Sequence, residues 1–311
     1  MRPTVLVAML TYKRPDDLPE AVRTVVAQLD EPDADASLLV VDNDPDASAM
    51  PLAASYDPAR VRFVHEPVPG IPAGRNRALD EAGGADALVF IDDDERPEPG
   101  WLRELVATWR RTGATAVVGP VVSTFARPPE PWIAEGGFFE RRRPPSGTEV
   151  TVAATNNLLL DLAQLRAMGL RFDTSLGMTG SDDTMLTRQI HRAGGRMIWC
   201  DEARVVDVVP LARLNRRWVL QKAFRTGNSW SLVALRLEDR LAGRLAQRLV
   251  LTGRGLIRIA GGAARVLLGV VTRSVAHRAR GTRTLVRGAG MASGAWGYVY
   301  AEYRRPPPAA A

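Results

Sequence analysis

The chain has one cysteine, Cys200, among its 311 residues. An internal disulfide is therefore excluded, and nothing in the cysteine usage points to an oxidising compartment. Histidine is also scarce, and the spacing of His65, His191 and His277 does not suggest a metal cluster.

Long uncharged apolar runs are missing as well. No stretch of about 20 apolar residues lacks charge, so a conventional membrane-spanning helix is not expected. The N-terminal apolar run is about eight residues long, which is short for the core of a signal peptide, and no small-residue cleavage site follows it. We therefore expect a cytoplasmic protein whose first segment is a buried strand.

Two glycine-rich phosphate-binding patterns are absent. The first apolar run is followed by LTYKRPDD where a dinucleotide-binding protein would carry G-x-G-x-x-G. No P-loop is present, since GIPAGRNRAL has too few glycines at the wrong spacing. A nicotinamide enzyme and an NTPase are both disfavoured.

The composition, with 46% hydrophobic and 24% charged residues, is that of a globular protein of one or two domains. The charge is distributed unevenly. From Leu211 onward there are 19 Arg and Lys against 3 Asp and Glu, whereas the preceding part has 22 against 32. An acidic front and a basic tail indicate two functional regions.

Apolar runs alternate with helical patterns along the acidic front. Strands are predicted over 4–12, 36–44, 61–67 and 87–94, and helices over 16–29, 74–84 and 99–113. This alternation predicts a doubly wound α/β fold with a parallel sheet, whose ligand site lies beyond the carboxyl ends of the strands. The polar residues at those ends are Thr11, Asp42, Asn43, Asp92 and Asp94.

Three consecutive aspartates follow the fourth strand in VFIDDDERPEPGW. Carboxylates this close repel one another, so a positive group is expected among them. In extended backbone Asp92 and Asp94 point to the same side and Asp93 points away. The pair would suit a hard cation such as Mg²⁺ or Mn²⁺. A solvated acidic turn is the alternative, because D-x-D is a common pattern.

Five segments in order resemble a family 2 glycosyltransferase of the bacterial, inverting type with a GT-A fold. They are VAMLTYKRPDDL, LLVVDND, GRNRAL, VFIDDDERPEPGWL and the stretch from AATNNLLLD to TRQIHRAG. The resemblance runs from about residue 3 to residue 230. It implies a nucleotide-diphosphate-sugar donor, with a UDP-sugar favoured, and a divalent cation.

The resemblance also implies roles for individual residues. Asp94 and Asp92 would hold Mg²⁺ or Mn²⁺, and Asp42 would accept a hydrogen bond from the ring N–H of the base. The remaining residues matched to the nucleotide-sugar site are Thr11, Tyr12, Arg75, Asn76 and Asp93. Arg75 could instead be an ordinary arginine on a helix surface.

An acidic pair in TGSDDTML matches the family's catalytic pair, usually Glu-Asp. The match makes Asp183 the general base and Asp182 a ligand of acceptor hydroxyls. Capping of the following helix by Ser181 or Asp182 is compatible with that role. A helix N-terminus is expected to lower the pKa of Asp183.

One departure from the family lies after the last strand, where many relatives have a metal-binding histidine. This chain reads ARVVDVVPLAR there, so either Asp207 substitutes or it is an ordinary strand-edge aspartate. On a nearby Pro/Gly-rich loop, Trp132, Phe138 and Phe139 could stack on a sugar or pack locally.

The basic tail mixes apolar residues with arginines every seven or eight positions, at Arg258, Arg265 and Arg273. This spacing predicts amphipathic helices lying in a membrane interface, at the inner face of the cell membrane where a lipid-linked acceptor resides. A packed helical appendage is the alternative. Nucleic acid is disfavoured as a partner because the front domain is acidic.

The predicted organisation is a catalytic domain over 1–215, with a nucleotide-sugar half (1–115) and an acceptor half (116–215). A basic helical region follows over 216–311, its last seven or so residues disordered. The function expected is metal-dependent, inverting transfer to a glycan, lipid-linked or small-molecule acceptor in cell-envelope glycan synthesis. The alternatives are a sugar-nucleotide nucleotidyltransferase and a non-catalytic nucleotide- or glycan-binding module.

Overall fold

The computed structural model describes residues 2–14, 16–31, 33–177 and 179–300. They form two compact units. The first comprises the chain up to Val122, Arg141–Gly177 and Asp182–Val208. The second comprises Ser123–Glu140, the short stretch before Asp182, and the chain from Val209 onward. The predicted boundary at residue 215 stays a prediction, and the predicted disorder of the last seven residues lies outside the described residues.

The strands of the protein are short and mostly buried. They are β1 (Thr4–Thr11), β2 (Asp35–Asp42), β3 (Val61–His65), β4 (Ala87–Asp92), β5 (Glu95–Pro97), β6 (Ala116–Val118), β7 (Val121–Phe125), β8 (Asn157–Asp161), β9 (Met197–Trp199) and β10 (Val205–Val209). The main sheet has the order β3-β2-β1-β4-β8-β6-β9. Only β8 runs against its neighbours. The predicted mostly parallel α/β sheet is confirmed.

Local sequence signals determine where the helices begin and end. They are α1 (Leu18–Val26), α2 (Ile71–Glu81), α3 (Trp101–Thr112), α4 (Pro131–Glu135), α5 (Leu162–Ala167), α6 (Asp182–Arg192), α7 (Arg216–Arg236), α8 (Leu241–Val271) and α9 (Val275–Ala295). Helix α3 ends at Gly113, whose left-handed φ of 58° is readily adopted by glycine, which has no Cβ. Short 3₁₀ turns cover Met50–Ser55, Thr174–Leu176 and Leu211–Arg213.

Two apolar layers cover the main sheet, as the alternation of side chains along β1 requires. Val5, Val7 and Met9 belong to the layer that contains α1 and α3. Leu6 and Ala8 face the opposite layer, which contains α2, α5 and α6. Because the sheet is buried on both faces, its strands are continuously apolar and its polar residues collect at the strand ends.

The second unit is helical. Asn215 caps α7 by accepting a hydrogen bond from the backbone N–H of Trp218 at 2.9 Å. Trp132 stacks on Phe138, with ring centroids 5.0 Å apart. Phe139 stacks on Trp218 at 5.9 Å. These contacts favour local packing for the loop aromatics. In the described residues we find no helix that is both long enough and apolar enough to cross a membrane.

Candidate active site

The three aspartates lie in a turn between two strands. β4 ends at Asp92, and Asp93 and Asp94 form the turn that leads into β5. The expectation of extended backbone through Asp94 was therefore wrong, because the strand ends at Asp92 and the next two residues form a turn. Asp93 does not simply point away from its neighbours, since both it and Asp94 approach the same guanidinium.

That guanidinium belongs to Arg14, which follows β1. Its Nη1 lies 3.2 Å from Oδ2 of Asp94, and its Nε lies 3.6 Å from Oδ1 of Asp93. The parallel pairing of β1 with β4, in which Leu10 is opposite Asp92, brings these segments together. Arg14 is thus the positive group that the aspartate run required, and sequence reasoning did not assign it.

Thr11 also belongs to this arrangement. Its buried hydroxyl donates a 2.8 Å hydrogen bond to Oδ2 of Asp93. The end of β1 and the residues after it therefore support the aspartate turn with the Thr11 hydroxyl and the Arg14 guanidinium. Tyr12, the next residue, is partly exposed at the same strand end, with the Lys13 ammonium 5.7 Å from its ring centroid.

Burial raises the pKa of three carboxyls in and beside the turn. Burial, only partly offset by Arg75, raises the pKa of Asp92 to about 6. Burial also raises the pKa of Asp93 to about 6, against the opposing effects of Arg14 and Thr11. The pKa of Glu95 is raised well above its usual value, first by burial and then by Asp92 and other carboxylates.

Asp207 faces this acidic turn from β10. It pairs with Glu95 across the antiparallel β5–β10 ladder and is mostly buried. Oδ2 of Asp207 lies 3.2 Å from Nη2 of Arg141. Glu95 accepts a 2.6 Å hydrogen bond from Asn156 through Oε1, while its buried Oε2 has no hydrogen-bond partner. Asp207 is therefore near the candidate metal ligands, although an arginine already neutralises it.

The acidic pair opens helix α6 and meets Arg75, which lies 107 residues earlier on α2. Nη1 of Arg75 donates a 2.6 Å hydrogen bond to Oδ2 of Asp182, and both side chains are buried. Arg75 is therefore not a helix-surface residue. Although burial alone would lower its pKa, the attraction of Asp182, Asp183 and Asp92 raises it.

Asp183 is half-buried in the first turn of α6. Burial and the adjacent Asp182 raise the pKa of Asp183 to about 6, although Arg75 opposes this. The expectation that the helix N-terminus would lower this pKa was wrong. Loss of hydration and a like charge one residue away outweigh the helix dipole at this position.

The predicted nucleotide residues on β2 and α2 are tied to backbone. Asp42 is fully buried and accepts hydrogen bonds from the backbone N–H groups of Asp44 at 3.0 Å and Ala49 at 2.7 Å. Asn76 donates to the carbonyl of Phe172 at 2.9 Å and accepts from its N–H at 3.0 Å. Both side chains fix the loops around the carboxyl ends of the strands, and their contact with a nucleotide stays a prediction.

Sequence reasoning missed three further residues in and beneath the site: Arg14, Glu95 and Asn157. A signal existed for Arg14, because a basic pair directly follows the first strand in TYKRP. Asn157 had no signal, although it is fully buried and accepts from the Trp101 indole at 2.8 Å. Its amide also donates to two backbone carbonyls, those of Pro120 and Ala203.

The aspartate turn fits a divalent cation that keeps open positions. Among the described residues, no three His, Cys, Asp or Glu side chains are arranged to hold a metal ion by themselves. Mg²⁺ in proteins commonly takes one or two carboxylates and completes its shell with substrate phosphates and water. The carboxyls of Asp92 and Asp94 would provide such a partial shell, and Oε2 of the neighbouring Glu95 is a buried carboxyl oxygen without a hydrogen-bond partner.

Comparison with known proteins decides the family. The model of glycosyl transferase family 2 matches residues 6–169, more than half of the chain. The chain belongs to this family. A relative, the succinoglycan biosynthesis protein ExoM of Rhizobium meliloti (strain 1021), is 36% identical over 172 residues. That alignment covers 55% of this chain and 55% of ExoM, so it spans about half of each.

A second relative is the glucosyl-dolichyl phosphate glucuronosyltransferase of Haloferax volcanii. It is 26% identical over 246 residues, covering 74% of this chain and 76% of the relative. Among solved structures, the mannosyltransferase PcManGT of Pyrobaculum calidifontis, in complex with GDP-Man and Mn²⁺, superposes with a TM-score of 0.63. It is 19% identical, and the match covers 95% of this chain and 88% of that one.

The S. aureus protein TarS (residues 1–349), in complex with UDP-GlcNAc, gives a TM-score of 0.54 at 12% identity. The match covers 91% of this chain and 90% of that structure. These likenesses support the GT-A type of fold for this member of the family.

Proposed function

We propose that the chain is a metal-dependent, inverting glycosyltransferase that uses a nucleotide-diphosphate sugar. The observation that carries this proposal is the position of Arg75. This buried guanidinium is paired with Asp182 and electrostatically coupled to Asp183 and Asp92. A candidate base and a candidate metal site, almost 90 residues apart in the sequence, therefore share one cation.

The donor side is assigned to the ends of β1 and β4. Asp94 and Asp92 would hold Mg²⁺ or Mn²⁺, which would neutralise charge developing on the departing nucleotide diphosphate. Tyr12 lies partly exposed at this edge, and Thr11 orders Asp93 beneath it. Two structural neighbours are complexes with GDP-Man and UDP-GlcNAc, which supports a nucleotide-sugar donor here, with a UDP-sugar favoured.

The acceptor side is assigned to the start of α6. Asp183 takes the proton of the acceptor hydroxyl as its oxygen forms a bond to the anomeric carbon of the sugar. The bond from that carbon to the diphosphate oxygen breaks, and the nucleotide diphosphate leaves with the electron pair. Attack from the face opposite the leaving group inverts the anomeric configuration. Asp182, buried and held by Arg75, positions this turn, and its contact with an acceptor hydroxyl stays a prediction.

We also infer a glycan acceptor, lipid-linked or polymeric, at the inner face of the cell membrane. One relative is a succinoglycan biosynthesis protein, and another is a glucosyl-dolichyl phosphate glucuronosyltransferase. The surplus of 16 positive charges from Leu211 onward favours an anionic membrane surface as the place of action.

The experiment that tests the proposal is hydrolysis and transfer against a panel of nucleotide sugars, with and without Mn²⁺. We expect Mn²⁺-dependent release of nucleotide diphosphate from one donor class. Release should be lost in Asp94→Asn, and sugar transfer should be lost in Asp183→Asn. Full activity in EDTA would contradict the metal role, and a product of retained anomeric configuration would contradict inversion.

A further inference from the structure

The 31-residue helix α8 exposes an apolar face along its length. Of the 17 large hydrophobic residues exposed in the described part of the chain, ten lie on this helix. At about 100° per residue, Leu245, Leu249, Leu256 and Leu267 fall within a sector of about 40°. Ile257 widens this sector and is 74% exposed. We call these five residues the α8 apolar face.

The opposite side of α8 explains why this face is left uncovered. Gly255, Gly262 and Gly269, seven residues apart, are buried against α9. A Cβ added at Gly262 would lie 2.6 Å from the backbone nitrogen of Leu285, and one at Gly255 would lie 2.9 Å from the carbonyl oxygen of Gly288. The two helices therefore approach at backbone distance through small residues.

This arrangement inverts the usual pattern of helices in water. A helix pair in water normally buries its large apolar side chains and exposes its polar ones. Three of the four buried residues of α8 are glycines and the fourth is Leu251, whereas most of its other leucines are exposed. Small residues inside and large apolar residues outside are the pattern of helices that pack in lipid. The α8 apolar face therefore suits an apolar environment rather than water.

The charges beside the face favour one kind of partner. Helices α8 and α9 contain nine arginines and no aspartate or glutamate. At the same 100° per residue, Arg248 and Arg254 flank the α8 apolar face on its two sides. Arg265 and Arg258 lie beyond Arg254 toward the glycine seam, and Arg244 is in line with that seam. Trp296, 57% exposed, lies next to α8, donates to the Thr252 hydroxyl at 3.0 Å, and has the Arg248 guanidinium over its ring. Arginines and a tryptophan flanking an apolar stripe are typical of the boundary between lipid headgroups and acyl chains.

We propose that α8 lies in the plane of an anionic membrane, with the α8 apolar face inserted among acyl chains and the flanking Arg248 and Arg254 at the phosphate level. This inference rests on the proposed membrane association and specifies the surface that makes it. A second copy of the chain is a poorer occupant. A twofold contact through the same face would oppose arginines to arginines, with no acidic residue on either helix to neutralise them.

The test uses the full chain and flotation with phosphatidylcholine vesicles, with and without phosphatidylglycerol. The variant Leu249→Gln/Leu256→Gln/Leu267→Gln makes the face polar without removing charge. Its matched control, Val68→Gln/Val208→Gln/Leu211→Gln, changes three large apolar residues exposed elsewhere. We expect wild type and control to bind anionic vesicles and to bind less in high salt. The face variant should bind more than about tenfold more weakly.

Depth is measured with an environment-sensitive dye on one introduced cysteine, in a Cys200→Ser background. A dye at Leu256→Cys should be quenched by lipids carrying a quencher on their acyl chains, and one at Val68→Cys should not. Equal flotation of the face variant and wild type would overturn the inference while leaving membrane association intact. Lack of vesicle binding by wild type would overturn both membrane association and insertion of the face. Sugar transfer to a soluble acceptor tests the proposed enzymatic function separately, because it does not require a membrane. If wild type and control form a dimer without lipid and the face variant is a monomer, the face joins two copies of the chain. That result would also overturn the inference.

Discussion

Arg75 and Asp182 form a buried ion pair at 2.6 Å between α2 and the first turn of α6. The guanidinium is also attracted to Asp183 and Asp92, so one cation offsets three carboxylates. Asp182 is almost fully buried and has little water to compensate for the loss of its partner. The pair therefore holds the first turn of α6 in place by electrostatic attraction as well as by packing.

We expect Arg75→Met to lower the free energy of unfolding by roughly 3–5 kcal/mol, because it leaves buried carboxylates without their cation. Asp182→Asn should cost less, since Arg75 keeps its other carboxylates. The double variant should lose less than the sum of the two single variants. Urea denaturation of all four proteins measures this coupling. Additive losses would show that the ion pair does not couple the two residues.

The pH dependence of turnover should report Asp183. With a pKa raised to about 6, the carboxyl is protonated below that pH and cannot accept a proton. At saturating donor and metal, kcat should therefore rise as pH increases through about 6 and then level off.

Asp183→Asn should lower kcat by roughly 10²–10⁴-fold and remove this pH limb, while donor affinity stays near normal. Asp182→Asn serves as the neighbouring control. Should Asp182→Asn be inactive while Asp183→Asn keeps normal turnover and its pH limb, the base would be Asp182.

Local periodicity predicted the fold and the sheet edge at which the candidate site residues lie. The continuous apolar run of β1 predicts a strand buried on both faces, which places Thr11 at the carboxyl edge of a parallel sheet. The aspartates after β4 had to reach the same edge. These predictions depend on short-range patterns, which the sequence displays directly.

What the sequence could not predict depends on contacts between distant segments. The turn at Asp93 was hidden because three acids after a strand are compatible with either extended or turned backbone. Contact of Arg14 with that turn requires the pairing of β1 with β4, some 80 residues apart. The pKa of Asp183 depends on burial, which a helix-start pattern does not reveal. The outward side of α8 was equally hidden, because only the seam with α9 shows which stripe is buried.

Metal and donor binding should be lost together when the aspartate turn is altered. Asp94→Asn removes one of the two carboxylates that would hold the cation, so it should weaken binding of Mn²⁺ and of nucleoside diphosphate in the presence of Mn²⁺. The barrier to transfer should rise by several kcal/mol. Asp30→Asn, a surface aspartate paired with Arg60, is the matched control and should change neither. Calorimetric titration measures both affinities, and unchanged Mn²⁺ binding in Asp94→Asn would remove this residue from the metal site.

Arg14 should compete with the cation for the aspartate turn. Its guanidinium contacts both Asp93 and Asp94, and these carboxylates raise its pKa although burial opposes them. A divalent cation binding at Asp94 must therefore displace this guanidinium or share the carboxylate with it. The positive charge of Arg14 disfavours a second cation nearby. Arg14→Gln should strengthen the binding of Mn²⁺ several-fold in the absence of nucleotide. The measurement is a titration that follows loss of the electron paramagnetic resonance signal of free Mn²⁺. Arg23→Gln, which removes an exposed arginine paired with Glu20, should leave that affinity unchanged. Weaker Mn²⁺ binding in Arg14→Gln would mean that Arg14 organises the turn for the cation rather than competing with it.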